Sequence, residues 1–224
     1  MAWRQGYATA VESSDVGRRF HASEEKQAGL YALPMDGAPE QREHRFLIVC
    51  TANICRSPMG EALLRHRLDA IGVDATVLST GHLTPGVEVS KNSVTAMAER
   101  GLDISGRRSI VTSAKHVAGA DVILTMGRLH MRKVLELDLA AWRRTFPLRV
   151  AVGRALLVGQ RSRGETLPDW VARLHEGRTA MDLLEDDPAE EISDPFGMSL
   201  REYRATATLL DDLLAQFVSL AFPR

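Results

Sequence analysis

Apolar positions along the chain fall into two patterns. Short runs rich in Val, Ile and Leu stand at Phe46-Leu47-Ile48-Val49-Cys50, at Ala75-Thr76-Val77-Leu78-Ser79-Thr80 and at Asp121-Val122-Ile123-Leu124-Thr125-Met126. Continuous runs of this kind fit parallel strands buried on both faces. Between them apolar residues recur at helical spacing. Leu64, Leu68 and Ile71 mark one face of a helix, with Ser57 expected as its N-cap, Pro58 in its first position and Gly72 as its terminator. Further helices are expected over about 92–100, stopping at Gly101, and over about 128–137. A last one runs over about 199–219, where Tyr203, Leu209, Leu210, Leu213, Leu214 and Phe217 form a core-facing stripe. Strand and helix alternate, which favours an open parallel α/β sheet.

Two regions stand outside this alternation. Residues 1–44 mix Ser, Glu, Gly and Pro without a sustained period and read as an N-terminal extension, largely mobile. Its Trp3, Tyr7, Phe20 and Tyr31 could dock part of it on the core. Residues 140–192 read as helical and carry an uneven charge. From Arg128 to Arg178 eleven Lys and Arg stand against five Asp and Glu, 11 − 5 = +6, whereas Thr179 to Asp194 holds seven acids and no base. Either two solvated faces offset each other, or a basic rim attracts phosphorylated substrates.

Composition narrows the function classes. Formal charge is 28 − 29 = −1, so no global basic field marks a nucleic-acid partner. Two Cys build neither a disulfide framework nor a typical Cys-based zinc site, and the seven His are scattered, with no pair at metal-ligand spacing, so they read as surface or core residues. No apolar stretch approaches the roughly 18 residues a membrane helix needs, so membrane insertion is not expected. The first residues lead into no signal-like apolar region. These features suggest a cytoplasmic protein in a reducing compartment.

The chemistry concentrates between Cys50 and Ser57. A thiol ends a strand, the loop Thr51-Ala52-Asn53-Ile54-Cys55 follows, and Arg56 stands where a helix begins. Ligands of α/β sheets bind beyond the carboxyl ends of strands. A helix N-terminus there offers free N–H groups to an anion, and a curled loop adds more. Arg56 can grip two phosphate oxygens with its planar fork. The same environment favours a thiolate over a thiol, so the geometry that binds a phosphate also arms a nucleophile beside it. Cys55, five residues after Cys50, is close enough in sequence for a reversible disulfide that shields Cys50 from overoxidation.

The stretch Val49-Cys50-Thr51-Ala52-Asn53-Ile54-Cys55-Arg56-Ser57-Pro58-Met59-Gly60-Glu61 resembles the phosphate-binding loop of the low-molecular-weight protein-tyrosine phosphatases. The resemblance continues through Ser79-Thr80-Gly81 and the strand at 121–126, and returns at Ser193-Asp194-Pro195-Phe196-Gly197, covering most of 45–224. It implies a flavodoxin-like open parallel sheet of about four strands, order 2-1-3-4, with helices on both faces. It implies a phosphatase domain over 45–224, enlarged by a helical insertion at about 148–185. It also implies metal-independent phosphomonoester hydrolysis through a phosphocysteine, with no cofactor. Cys50 would be the nucleophile, Arg56 would hold the equatorial oxygens, and Asp194 would be general acid, then base. Asn53 would hold the loop's shape, and Ser57 would donate toward the thiolate. Leu83 and Phe196 would form the walls against the substrate ring.

Two residues of this stretch depart from the usual pattern. Ala52 replaces a Gly, at a cost of roughly 1 kcal/mol if that position has positive φ. Gly60 replaces a common Ala inside the helix, a cost of up to about 1 kcal/mol. The expected substrate is a tyrosine-phosphorylated protein. Related phosphoarginine phosphatases carry Thr where this chain has Ile54, so Ile54 leans toward phosphotyrosine. The alternatives are a phosphoarginine phosphatase, a small-molecule phosphatase, an arsenate reductase (which would lack its relay cysteines) and a catalytically idle phosphoprotein-binding module.

Overall fold

A computed structural model describes residues 43–179, 181–184 and 187–224. The expectation for the extension at 1–44 therefore lies almost wholly outside the described residues. Four parallel strands form one sheet: β1 (His44–Val49), β2 (Ala75–Thr80), β3 (Val122–Thr125) and β4 (Thr145–Pro147), in the order β2-β1-β3-β4. β1 is central, and Phe46, Leu47, Ile48 and Val49 are all buried, as a strand covered on both faces requires. Val49 lies opposite Thr80 on one side and Thr125 on the other. Three strands thus stop at one level, and the loops leaving them at Cys50, Gly81 and Met126 share one edge of the sheet. β4 escaped the sequence reading because it is only three residues long and ends in Pro147. Proline, which has no N–H to give a ladder, is tolerated at a sheet edge.

Eight helices are described: α1 (Arg56–Ala70), α2 (Lys91–Ala98), α3 (Ala114–Ala118), α4 (Arg128–Leu135), α5 (Leu148–Val158), α6 (Leu167–His175), α7 (Met181–Leu184) and α8 (Leu200–Ala221). α1 carries the chain from β1 to β2 in one direction, and α4 carries it from β3 to β4 in the other. Right-handed crossovers place them on opposite faces. Phe46 and Ile48 join Met59, Leu63, Leu64 and Leu68 of α1 in the main core, together with Leu210, Leu214 and Phe217 of α8. Of the region around 148–185, the part from Leu148 to Leu174 contributes to the same core. Trp170 of α6 is fully buried, sets its ring 5.5 Å from that of Phe217 and donates its Nε1–H to the Gly159 carbonyl.

Lys133, Arg143 and Arg163 of the stretch 128–178 are exposed, but three other arginines are not simply solvated. Arg154 bonds the Leu174 and Glu176 carbonyls, Arg161 the Ala221 and Glu165 carbonyls, and Arg173 the Glu165 carboxylate and the Val158 carbonyl. Their donors tie the added helices together.

The helix start differs from expectation in one respect. Cys55 occupies the N-cap position of α1 without a side-chain cap bond, and Ser57 lies inside the first turn. Ser57 does not cap the helix because its hydroxyl turns inward to Cys50. Gly72 ends the helix as expected, at φ 69°.

Candidate active site

The loop 51–55 wraps around the Cys50 thiol. Cys50 Sγ lies 2.9 Å from Ser57 Oγ and accepts from the Asn53 backbone N–H at 3.3 Å. Asn53 is the one non-glycine described with a left-handed backbone, φ 56°, a conformation Asn tolerates better than most residues. Its Nδ2 donates to Ser57 Oγ and to Ser79 Oγ, each at 2.9 Å, and its Oδ1 accepts from the Ile110 N–H at 2.8 Å. Ala52 does not take positive φ, so the loop carries no penalty there. The tight fit falls instead on Gly81. A Cβ at that position would come within 2.7 Å of the Asn53 nitrogen and 2.8 Å of the Thr51 carbonyl oxygen.

Behind the loop stands a carboxylate the sequence reading did not single out. Ser79 donates to Glu61 Oε2 at 2.7 Å, and the fully buried Glu61 is paired with Arg65 and Arg107. Glu61 accepts the Ser79 proton, and Asn53 spends its two amide protons on the serines. That order leaves the Ser57 hydroxyl proton for Cys50 Sγ, its nearer acceptor, with the Thr80 carbonyl at 3.3 Å as the other. The direction of a hydrogen-bond chain is set by its ends, and here one end is an anion. The i, i+4 spacing of Glu61 to Arg65 was readable. The contact with Ser79 was not.

Arg56 is buried and is one of the residues that line the site's cavity. Nη1 donates to the Ile192 carbonyl at 2.9 Å, and Nη2 donates to Thr51 Oγ1 at 3.2 Å and to the Asp194 carboxylate. Glu191 stands 4.0 Å from Nη1. Asp194 also accepts from the Phe196 N–H at 3.1 Å, the turn expected of an Asp before Pro. A cavity of about 310 Å³ opens over these groups. Cys50, Arg56 and Asp194 lie in it with Thr51, Ala52 and Cys55, and its apolar wall is Ile54, Leu83, Val87 and Phe196. Val87 was not anticipated; Asn53 and Ser57 sit behind the loop. No described residue of 148–185 lines the cavity. A larger cavity of about 790 Å³ lies between α1 and α8, but its Asp211 is paired with both Arg67 and Arg100, and no cysteine is among its described lining residues.

Cys55 behaves differently from Cys50. Both are free thiols. Cys55 Sγ lies 3.6 Å from Ser90 Oγ and 3.5 Å from the Tyr203 hydroxyl. Burial pushes its thiol up against the pull of these two partners. Burial likewise pushes Tyr203 up to about 12. One histidine departs from the reading as a plain surface or core residue. His130 Nε2 lies 2.9 Å from Thr51 Oγ1. Burial, then the Arg56 charge and His82, push His130 down to about 3. Among the described residues no three His, Cys, Asp or Glu side chains are placed to hold a metal ion. No helix among them is long and apolar enough to cross a membrane.

Residues 45–149 match the family model of the low molecular weight phosphotyrosine protein phosphatase. A probable low molecular weight protein-tyrosine-phosphatase, EpsP of Ralstonia solanacearum, is 41% identical over 88 residues, 39% of this chain and 59% of that protein. The chain thus spans little more than half the length of the relative it matches there. The protein-arginine-phosphatase of Bacillus subtilis is 26% identical over 171 residues, 76% of this chain and 91% of that one. The crystal structure of a low molecular weight protein tyrosine phosphatase from T. tengcongensis superposes with a TM-score of 0.61 at 27% identity, over 79% of this chain and 99% of that one.

Proposed function

We propose that the chain, whose residues 45–149 match the family model of the low molecular weight phosphotyrosine protein phosphatase, hydrolyses phosphotyrosine in proteins through a phosphocysteine. The observation that carries this reading is the convergence of three groups on one cavity: a thiol facing two donors, a buried guanidinium and a carboxylate on its rim. A phosphate dianion takes the place that the Asp194 carboxylate holds on Arg56. Cys50 attacks phosphorus, and Arg56 with the loop N–H groups stabilises the charge spread over the equatorial oxygens. Asp194, released from Arg56, protonates the departing phenolate and then accepts a proton from the water that cleaves the phosphocysteine. The chemistry calls for no metal or cofactor, and the protein acts in the cytoplasm on phosphorylated proteins.

The wall favours an aryl ester over phosphoarginine. Ile54, Leu83, Val87 and Phe196 present apolar surface, and among the described lining residues Asp194 is the only carboxylate, with Glu191 standing outside that lining, 4.0 Å from Arg56. Residues 148–185 enlarge the family's domain and add to its core through Trp170. Oxidation that joins Cys50 to Cys55 must first free Cys55 from Ser90 and Tyr203.

Hydrolysis of p-nitrophenyl phosphate with chelator present tests the reading. Turnover is expected to vanish in Cys50→Ser and to fall by about 10²–10⁴-fold in Asp194→Asn. Full turnover by Cys50→Ser sinks the phosphocysteine mechanism. Faster cleavage of phosphoarginine than of phosphotyrosine peptides moves the substrate to the other branch.

A further inference from the structure

We infer that His130 is a positioning residue for Arg56, acting through the hydroxyl of Thr51. The inference rests on the phosphatase reading and adds to it a group that touches neither substrate nor thiol.

His130 sits in the first turn of α4 and is 3% exposed. Its Nε2 lies 2.9 Å from Thr51 Oγ1, and the same oxygen accepts from Arg56 Nη2 at 3.2 Å. Thr51 is also held through its backbone, since its carbonyl accepts from the His82 N–H at 2.7 Å. The His82 ring stacks on His130, with centroids 6.3 Å apart and planes 16° from parallel. One histidine grips the main chain of Thr51, the other grips its side chain, and the two rings brace each other.

The arrangement matters at the moment Asp194 leaves the guanidinium. Nη2 then keeps Thr51 Oγ1 as its protein acceptor, and Nη1 keeps the Ile192 carbonyl, which belongs to the same segment as Asp194. Thr51 is the anchor that belongs to the phosphate loop itself. A hydroxyl has one proton and two lone pairs and rotates to suit its neighbours. With Nε2 as acceptor, the Thr51 proton points at the ring and its lone pairs stay with Arg56. With Nε2–H as donor, one lone pair goes to the ring, one to Arg56, and the proton is left for a phosphate oxygen. Both tautomers keep Thr51 Oγ1 as an acceptor for Arg56. A neutral ring is needed there, because an imidazolium would repel the guanidinium it orients. The burial that disfavours the charged ring meets that need.

The test compares the native chain with His130→Ala, His130→Gln, Thr51→Val and the double variant His130→Ala/Thr51→Val. The readouts are kcat and KM for p-nitrophenyl phosphate and the competitive inhibition constant of inorganic phosphate. His130→Ala and Thr51→Val are each expected to raise KM and the phosphate constant about tenfold, and the double variant to do no worse than either single. His130→Gln, whose amide can reach Thr51, is expected to recover most of the loss. Additive effects in the double variant overturn the inference. So does a lower melting temperature with both constants unchanged, the signature of a structural residue. Should His130→Ala fail to fold, Thr51→Val carries the same expectation with the ring in place. A native chain that neither turns over nor binds phosphate overturns the phosphatase reading together with the inference. A native chain that does both, matched by His130→Ala and Thr51→Val, overturns the inference alone.

Discussion

Arg56 and Arg178 are both largely withdrawn from water, and they are held in opposite ways. Arg56 faces a cavity, and part of its bonding goes to a rim carboxylate, Asp194, that an incoming anion can replace. Arg178 has its guanidinium 3.7 Å from the Trp142 ring centre and 4.4 Å from that of Phe146. Its Nη1 donates to the Thr145 carbonyl at 2.9 Å. Burial pushes it down to about 10. Although it too lines a cavity, of about 190 Å³, its described hydrogen-bond acceptors are backbone carbonyls and the Met131 sulfur, with ring faces beside them, and none of these is a rim carboxylate. A guanidinium whose partners can be displaced serves binding, and one spent on backbone serves the fold.

The comparison breaks most sharply at Arg56. Arg56→Lys is expected to keep the melting temperature within a few degrees and to cut kcat/KM by at least about 10²–10³-fold, because an ammonium cannot hold two oxygens in one plane. An equally active lysine variant removes the distinction. Arg178→Ala is expected to do the reverse. It leaves carbonyls unpaired and two ring faces uncovered, at about 2–4 kcal/mol of stability in denaturant titration, with kcat/KM of the folded fraction unchanged.

Acid pH sharpens the contrast further. His130 beside Arg56 and His175 near Arg178 are both pushed down, chiefly by burial, His130 to about 3. Below pH 6.5 the unfolded chain takes up the proton that the folded ring refuses, so the unfolded state binds more protons. Stability then falls as pH drops from about 6.5 toward 3, by up to about 1.4 kcal/mol per pH unit for a fully buried ring. Above pH 6.5 both states are neutral and the effect is absent. Denaturant midpoints between pH 7 and 5 should decline less in His130→Gln than in the native chain, and His175→Gln should flatten the decline less, its ring being the shallower. Equal slopes in all three remove His130 as the source.

The smallest expected effect is at Gly60, inside α1. A Cβ there would meet Ile48 and Met126 at 3.5–3.7 Å, ordinary contact distances. Gly60→Ala should therefore raise stability by about 0.5–1 kcal/mol. Gly81→Ala, with backbone at 2.7 Å from its Cβ, should instead disturb the phosphate loop.

The sheet and its reactive loop were legible because both are local. A continuous apolar run reports burial on two faces, as Phe46–Val49 does, and a thiol, five residues and an arginine can be read along the seven residues Cys50 to Arg56. The resemblance added Asp194 and the strand order, which alternation alone does not yield. Ser57 misled because a Ser before Pro at a helix start has a standard use as a cap. A buried thiol and Asn53 claimed its hydroxyl instead.

By itself the sequence determined three of the four strands, the first and last helices, and the loop that joins the Cys50 thiol to Arg56. Each follows from short-range pattern and side-chain type. Tertiary structure alone decided that Asp194 rests on Arg56 across 138 residues of chain and that His130 meets Thr51 across 79. It also decided that Glu61 orders the protons behind Cys50. Periodicity records which face of an element is buried, and only folding records what that face meets.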